Sequence, residues 1–291
     1  MGEQVCMTGA EYCGGAAGVE TYGYPVETTG NAVLDILEHR SSTRAFARDD
    51  NDRPVAVTDE QRAAILHAAS RAPSAGAMMM YSIVSIREQT TLDRLADLCD
   101  HQPMIAKAPW ALIFVVDYAK WIDLFEHVGC FEPEFVERTG KAPRCAPGLG
   151  DFAIAAQDAV IAAQNAVVAA EALGLGSCYI GDVVENAEEV AALLDLPPHT
   201  MPLSMLIIGA PRKERPAIAH PVVNLVHEER YRRADAATMD AQVAEMDAMF
   251  RPHAREVGER VVDIYTRKHT SPFMAEMSRS MEWWFKNWLG K

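Results

Sequence analysis

Residues 151 to 173, DFAIAAQDAVIAAQNAVVAAEAL, constrain the fold more than any other stretch of the chain. Polar side chains recur at 157/158, 164/165 and 171, a spacing of seven that leaves one narrow polar stripe on a helix. Nearly every other position is Ala, Val or Ile. A helix that is apolar almost all round has to be buried, and alanine faces let another element approach closely. The segment from Asp151 to Leu173 is therefore predicted to be both the central core helix and part of a subunit interface.

The rest of the chain is large enough to surround such a helix, with 291 residues of which 49% are hydrophobic. A formal charge of −14 argues against nucleic acid, whose phosphates require clustered Lys and Arg. Residues 1–30 contain Glu3, Glu11, Glu20 and Glu27 and no Lys or Arg, which predicts a flexible acidic tail and not a secretory signal. The uncharged stretch from Leu196 to Pro211 is too short and too proline-rich to span a membrane. A soluble, cytoplasmic protein is expected. The cysteines (Cys6, Cys13, Cys99, Cys130, Cys145 and Cys178) form no C-x-x-C pair and no H-E-x-x-H is present, so reduced thiols and no metal are expected.

Apolar Val33, Leu34, Ile36 and Leu37 predict a helix over Asn31 to His39, which delivers the polar RSSTRAF of residues 40 to 46. Thr58-Asp-Glu-Gln61 is a capping box that opens a helix through Ala69, and Pro73 ends it. Tyr81 to Ile86, Ala111 to Val116 and Leu203 to Ile208 read as strands, with a helix over about Leu92 to Cys99 between the first two. Few strands among many helices favour a mixed α/β sandwich over a doubly wound sheet. A long connection, about 118–150, holds Trp121, Phe125, Phe131 and Phe135 and suggests a lid. The segment 234–291 reads as a helical extension ending in an amphipathic helix, with Met274, Met277, Met281, Trp284, Phe285 and Trp288 on one face.

Three stretches could bind a ligand. Arg40-Ser41-Ser42-Thr43-Arg44 combines guanidinium forks with hydroxyls and suits an anion, though a solvated loop at a helix C-terminus would use the same residues. GLGSCYIG, residues 174 to 181, offers close backbone approach to a flat ligand. It is not a dinucleotide fingerprint, because Tyr179 stands where the third glycine belongs; Gly174 equally serves as a helix cap. Ser74, in Ala72-Pro-Ser-Ala-Gly76, lacks the context of a nucleophile elbow. The basic group Arg212, Lys213 and Arg215 suits either a solvated turn or a phosphate.

Taken in order, ILEHRSSTRAF, AASRAPSAG, IAKAPWALIFVVDY, the long helix running into LGLGSCYIGD, and GAPRKERP followed by LVHEERYRR resemble the FMN-dependent nitroreductase family over residues 31–233. The resemblance implies an α+β, three-layer α/β/α sandwich with a mainly antiparallel sheet, forming an intertwined homodimer. It also implies FMN as cofactor and NADH or NADPH as reductant, with a nitroaromatic or quinone as the small-molecule electron acceptor. Arg40, Ser41 and Ser42 would hold the FMN phosphate and ribityl chain, with Arg212 as a further basic contact. Arg44 would lie by the pyrimidine edge, where a cation stabilises the reduced, anionic flavin. Backbone groups at Tyr179, Ile180 and Gly181 would lie along the ring, and Pro73, Ser74, Ala77 and Met79 would touch it. No side chain acts as a nucleophile, because the flavin carries the hydride chemistry.

Two departures from the family pattern stand out. Ala77 occupies the place of an Asn that hydrogen-bonds the flavin, and Met78, Met79 and Met80 follow it; Ala219-His220-Pro221 stands where a basic phosphate ligand is usual. Losing one neutral and one charged hydrogen bond would weaken flavin affinity about thirty- to two-thousand-fold if nothing compensated. At least one of the three methionines is predicted to face the pocket. Two other functions suit the same residues: a flavoenzyme with a different reaction (dehalogenation, ene reduction or desaturation), and a non-catalytic flavin- or metabolite-binding dimer.

Overall fold

β-branched and aromatic runs pair into an antiparallel sheet, and a computed structural model describes this for residues 30–213, 223–253 and 255–291. The acidic tail, apart from Gly30, lies outside the described residues, as do Arg215 and His220. In chain order the elements are α1 (Ala32–His39), α2 (Asp59–Ser70), β1 (Tyr81–Ile86), α3 (Gln89–Leu98), α4 (Pro103–Ala106), β2 (Trp110–Asp117), α5 (Ala119–His127) and α6 (Pro133–Thr139). They continue with α7 (Leu149–Ala172), β3 (Gly176–Ile180), α8 (Ala187–Leu193), β4 (Thr200–Gly209), α9 (Ala236–Phe250), α10 (Glu259–Ile264) and α11 (Pro272–Trp288). The chain divides into two compact units. Arg40 through β4 and the C-terminal α11 form one, while α1, α9 and α10 belong to the other.

In the larger unit the strand order is β1-β2-β4-β3 and every neighbouring pair is antiparallel. β2 is buried from Trp110 to Val116, so both faces of the sheet are covered, as the sandwich expectation requires. β4 begins at Thr200, earlier than the Leu203 start read from the sequence. Pro202 sits inside this central strand because the register slips there: Phe114 pairs with Ser204 and Val115 with Pro202, a bulge that tolerates the missing N–H. β3 was not foreseen as a strand, because a glycine, a serine and a cysteine in its five residues hide its pairing with β4.

α2 starts at the predicted capping box, with Thr58 Oγ1 accepting from Gln61 N at 3.2 Å and Gln61 Oε1 accepting from Thr58 N at 3.1 Å. α7 packs on α2 and the sheet through Ala155, Ala159, Ala162, Ala163, Ala166 and Ala170, all fully buried. The polar stripe divides in a way the spacing did not reveal. Asp158 turns inward and is buried, whereas the apolar Leu149, Ile154, Val160 and Ile161 face outward. The long connection contains α5, whose Trp121, Ile122 and Phe125 pack against the core.

α11 is fastened to the same unit by its tryptophans. Trp284 Nε1 donates to Val184 O at 2.9 Å and Trp288 Nε1 to Gly148 O at 3.0 Å, the latter at the N-cap of α7. Phe152 stacks edge-on with both Phe285 and Trp288. Glu276 and Ser280 of α11 accept from Asn186 N and Ala187 N, which satisfies the start of α8. In the smaller unit, Asp247 accepts from Gly258 N and Arg260 N, Arg260 lies over the Phe250 ring, and no residue of α1, α9 or α10 is fully buried.

Beside α8 the carboxyl of Glu185 is 4% exposed. Burial, and then the charges of Asp182, Asp100 and Glu276, push its pKa from 4.5 up to about 7. The folded state therefore keeps a proton that the unfolded chain releases near pH 4.5. The stability this group allows is fully present below that pH and is lost as pH rises through about 7. Glu185→Gln should raise the melting temperature at pH 8 and leave it nearly unchanged at pH 4.5, measured by thermal melts across that range.

Candidate functional site

The segment after α1 runs along the free edge of β3. Ser42 forms a parallel bridge with Ser177, Thr43 N donates to Ser177 O at 2.8 Å, and Arg212 N donates to Ala45 O at 3.0 Å. Phe46 bridges Pro211 and Ala47 N donates to Ala210 O, so the chain leaving β4 brings Arg212 alongside the Arg40–Arg44 segment. The close fit depends on Gly176: a Cβ there would lie 2.1 Å from Thr43 Oγ1. Ser41 and Ser42 are half-buried, while Arg44 and Arg212 are exposed. Among the described residues none of Arg40, Arg44 and Arg212 forms an ion pair.

β3 carries Tyr179, whose hydroxyl donates to Gln164 Oε1 of α7 at 3.2 Å while the residue stays 38% exposed. Burial pushes its phenol pKa up to about 12 against the opposing charge of Arg40. Ile180 is buried, and Gly181 opens a 3-10 turn, Gly181–Val184, that ends at the carbonyl held by Trp284. Two turns of α7 beyond Gln164, Glu171 also lies in the field of Arg40. Burial raises its pKa although Arg40 lowers it, and its Oε1 is buried without a hydrogen-bond partner.

The third segment follows α2. Pro73 leads to Ser74 and a 3-10 turn, Ala75–Ala77, in which Gly76 (φ 58°) and Ala77 (φ 55°) occupy the left-handed region, as does Met79 (φ 47°) just beyond it. Each non-glycine residue there costs on the order of 1–2 kcal/mol, so other contacts must hold the loop. Asp158 supplies them: its carboxylate accepts from Ser74 Oγ at 2.7 Å, Ala75 N at 3.1 Å and Met80 N at 3.3 Å. Ser74 Oγ in turn accepts from Met79 N at 2.6 Å, and Trp121 Nε1 of α5 donates to Met78 O at 2.9 Å. Met80 is buried, Met78 packs against the core, and Met79 is 40% exposed.

The candidates fall into two groups. Arg40, Ser41, Ser42, Arg44, Arg212 and Tyr179 gather at β3. Pro73, Ser74, Ala77 and Met79 gather at the loop bound by Asp158. Glu171 and Asp158 are thirteen residues apart on α7, about 20 Å along the helix. Sequence reasoning missed Asp158, Trp121 and Glu171 as site residues. The available signal was a carboxylate, Asp158, in the middle of an alanine-rich helix, which burial makes costly unless donors surround it.

The nitroreductase family model matches residues 37–210. The chain belongs to the nitroreductase family. It is 32% identical over 215 residues to a Bacillus subtilis protein named FMN reductase (NAD(P)H), covering 73% of this chain and 79% of that one. It is also 32% identical to an oxygen-insensitive NADPH nitroreductase of Salmonella typhimurium, covering 73% and 81%. The hypothetical oxidoreductase YcnD of Bacillus subtilis superposes with a TM-score of 0.70 at 26% identity, covering 87% of this chain and 97% of that one. The family-derived expectation for the fold is met, from the antiparallel sheet to the long central helix.

Gly176→Ala should displace the Thr43 segment and destabilise the protein by about 1–3 kcal/mol, as overpacking does. Adding Thr43→Gly should recover part of that loss in urea melts, because it removes the opposing side chain.

Proposed function

We propose that this member of the nitroreductase family is an FMN-dependent NAD(P)H oxidoreductase that reduces a small organic acceptor such as a nitroaromatic or quinone. The observation that carries this reading is the group of Arg40, Arg44 and Arg212 at one edge of the sheet, guanidiniums that form no ion pair among the described residues, beside the hydroxyls of Ser41 and Ser42. The relatives' names, FMN reductase and NADPH nitroreductase, support the same chemistry.

These residues fit FMN. Guanidiniums that form no ion pair among the described residues suit a phosphate, and the orphaned Glu171 Oε1 suits a ligand that brings a hydroxyl donor. Arg40, Ser41, Ser42 and Arg212 would bind the phosphate end, and Arg44 would place its charge near the pyrimidine edge. The backbone at Tyr179, Ile180 and Gly181 would lie along the ring, and Pro73, Ser74, Ala77 and Met79 would line its other side. FMN, when bound, supplies the hydride relay between NAD(P)H and acceptor. The chain's own part is to orient, to exclude water and to place positive charge, and no side chain serves as a nucleophile.

A homodimer is part of the reading. Leu149, Ile154, Val160 and Ile161 form an outward apolar face on α7, and the two groups of candidate residues lie far apart on one chain. A second copy would cover the face and could bring the groups together. Ile161→Glu should shift the light-scattering mass toward the 32.0 kDa of one chain.

The decisive experiment compares FMN with riboflavin, which lacks the phosphate. Arg40→Ala should weaken FMN binding about 10- to 150-fold, the worth of a charged hydrogen bond, and change riboflavin binding less than threefold. Wild type should oxidise NADH or NADPH steadily with a nitroaromatic or quinone. Binding without turnover would favour the storage or sensing dimer, and faster turnover of a halogenated or ene substrate would favour the other flavoenzyme reactions.

A further inference from the structure

The loop from Ser74 to Met80 offers no side-chain donor after Ser74, yet it holds three residues in the left-handed region and leaves Met79 exposed. What fixes it comes from another element. Asp158, 3% exposed, receives the Ser74 hydroxyl and two backbone N–H groups, and the same hydroxyl receives Met79 N. Every one of these contacts bears on the loop, and none reaches the arginines at β3.

We infer that Asp158 is a positioning residue for the ligand-facing loop, setting the place of Ala77 and Met79 from the interior of the helix and so fixing the apolar wall against which flavin and acceptor bind. This rests on the flavin reading above. A loop whose conformation is strained at several residues has other arrangements close in energy, so the contacts that select one arrangement also set how well the wall receives a flat ligand. Among the described residues the hydrogen bonds of Asp158 all go to this loop, so its role is one of position. Trp121 restrains the same loop through a separate hydrogen bond to Met78 O, so losing Asp158 should loosen the loop without unfolding it.

Asp158→Asn keeps the shape but turns one acceptor into a donor that faces either Ala75 N or both Met80 N and the Ser74 hydroxyl. Ser74→Ala removes the shared hydroxyl, is less disruptive, and carries the same expectation should the first variant fold poorly. Both should raise the dissociation constant for FMN and for riboflavin by about tenfold alike, because the wall and not the phosphate end is disturbed. Amide exchange at residues 75–80 should accelerate tenfold or more while β2 stays protected. In flavin-loaded Asp158→Asn enzyme, KM for the acceptor should rise several-fold with kcat changed less than twofold. The double variant should be no worse than the worse single one, since both act through one network. Flavin binding by wild type that is unchanged in both variants would overturn the inference and leave the flavin reading standing. A larger loss for FMN than for riboflavin would also overturn it, by placing the effect at the phosphate end. Wild type that binds neither flavin would overturn both.

Discussion

A carboxylate inside an alanine helix is the constraint on which the rest of the larger unit depends. The alanines of α7 let it lie close against α2 and the sheet, and that closeness leaves Asp158 without water. A buried charge is tolerated only when donors surround it. The chain supplies them from the segment after α2, which bends into the left-handed region to direct two N–H groups and a hydroxyl at one side chain. Asn165 extends the same junction by donating to Ala68 O at 3.1 Å. The loop therefore takes its shape from the helix, and a change in either is felt in the other.

The same helix serves the opposite end of the candidate site by different means. At Asp158 it accepts hydrogen bonds; at Gln164 it receives the Tyr179 hydroxyl; at Glu171 it meets the charge of Arg40 without a hydrogen bond to Oε1. Gln164 and Glu171, seven residues apart, share one side of the helix, while Asp158, six residues before Gln164, lies about 120° round it. The outward side carries Leu149, Ile154, Val160 and Ile161. Asp158 borders the buried alanine face, whereas Gln164 and Glu171 lie among the outward apolar residues, and this is why a polar stripe in the sequence did not correspond to a single solvent stripe in the structure.

The periodic parts of the fold were legible in the sequence because burial imposes them. The α2 capping box, β1 and the long helix were each visible in residue spacing. The parts that were not legible depend on contacts distant in sequence. β3 is recognisable only from its pairing with β4, and the early start of β4 only from the bulge that accommodates Pro202. In the candidate site, Arg40 to Arg44 were conspicuous as a cluster of charges and hydroxyls. Asp158 was not, because its partners lie 78 to 84 residues away and are mostly backbone groups that any sequence provides. Trp121 was noticed for its ring, while its work is done by its indole N–H on Met78 O.

The divergence at Met78-Met79-Met80 can be understood from the same network. A loop held by a side chain on a neighbouring helix has its geometry fixed independently of the side chains it displays. Met80 can then be used for the core, Met78 for packing beneath Trp121, and Met79 for the exposed wall without any of them having to hold the turn. Methionine suits that last position because its unbranched, polarisable thioether adapts to flat ligands of different outline. Separating the residue that sets the shape from the residues that meet the ligand lets the wall change in sequence while the backbone that presents it stays in place.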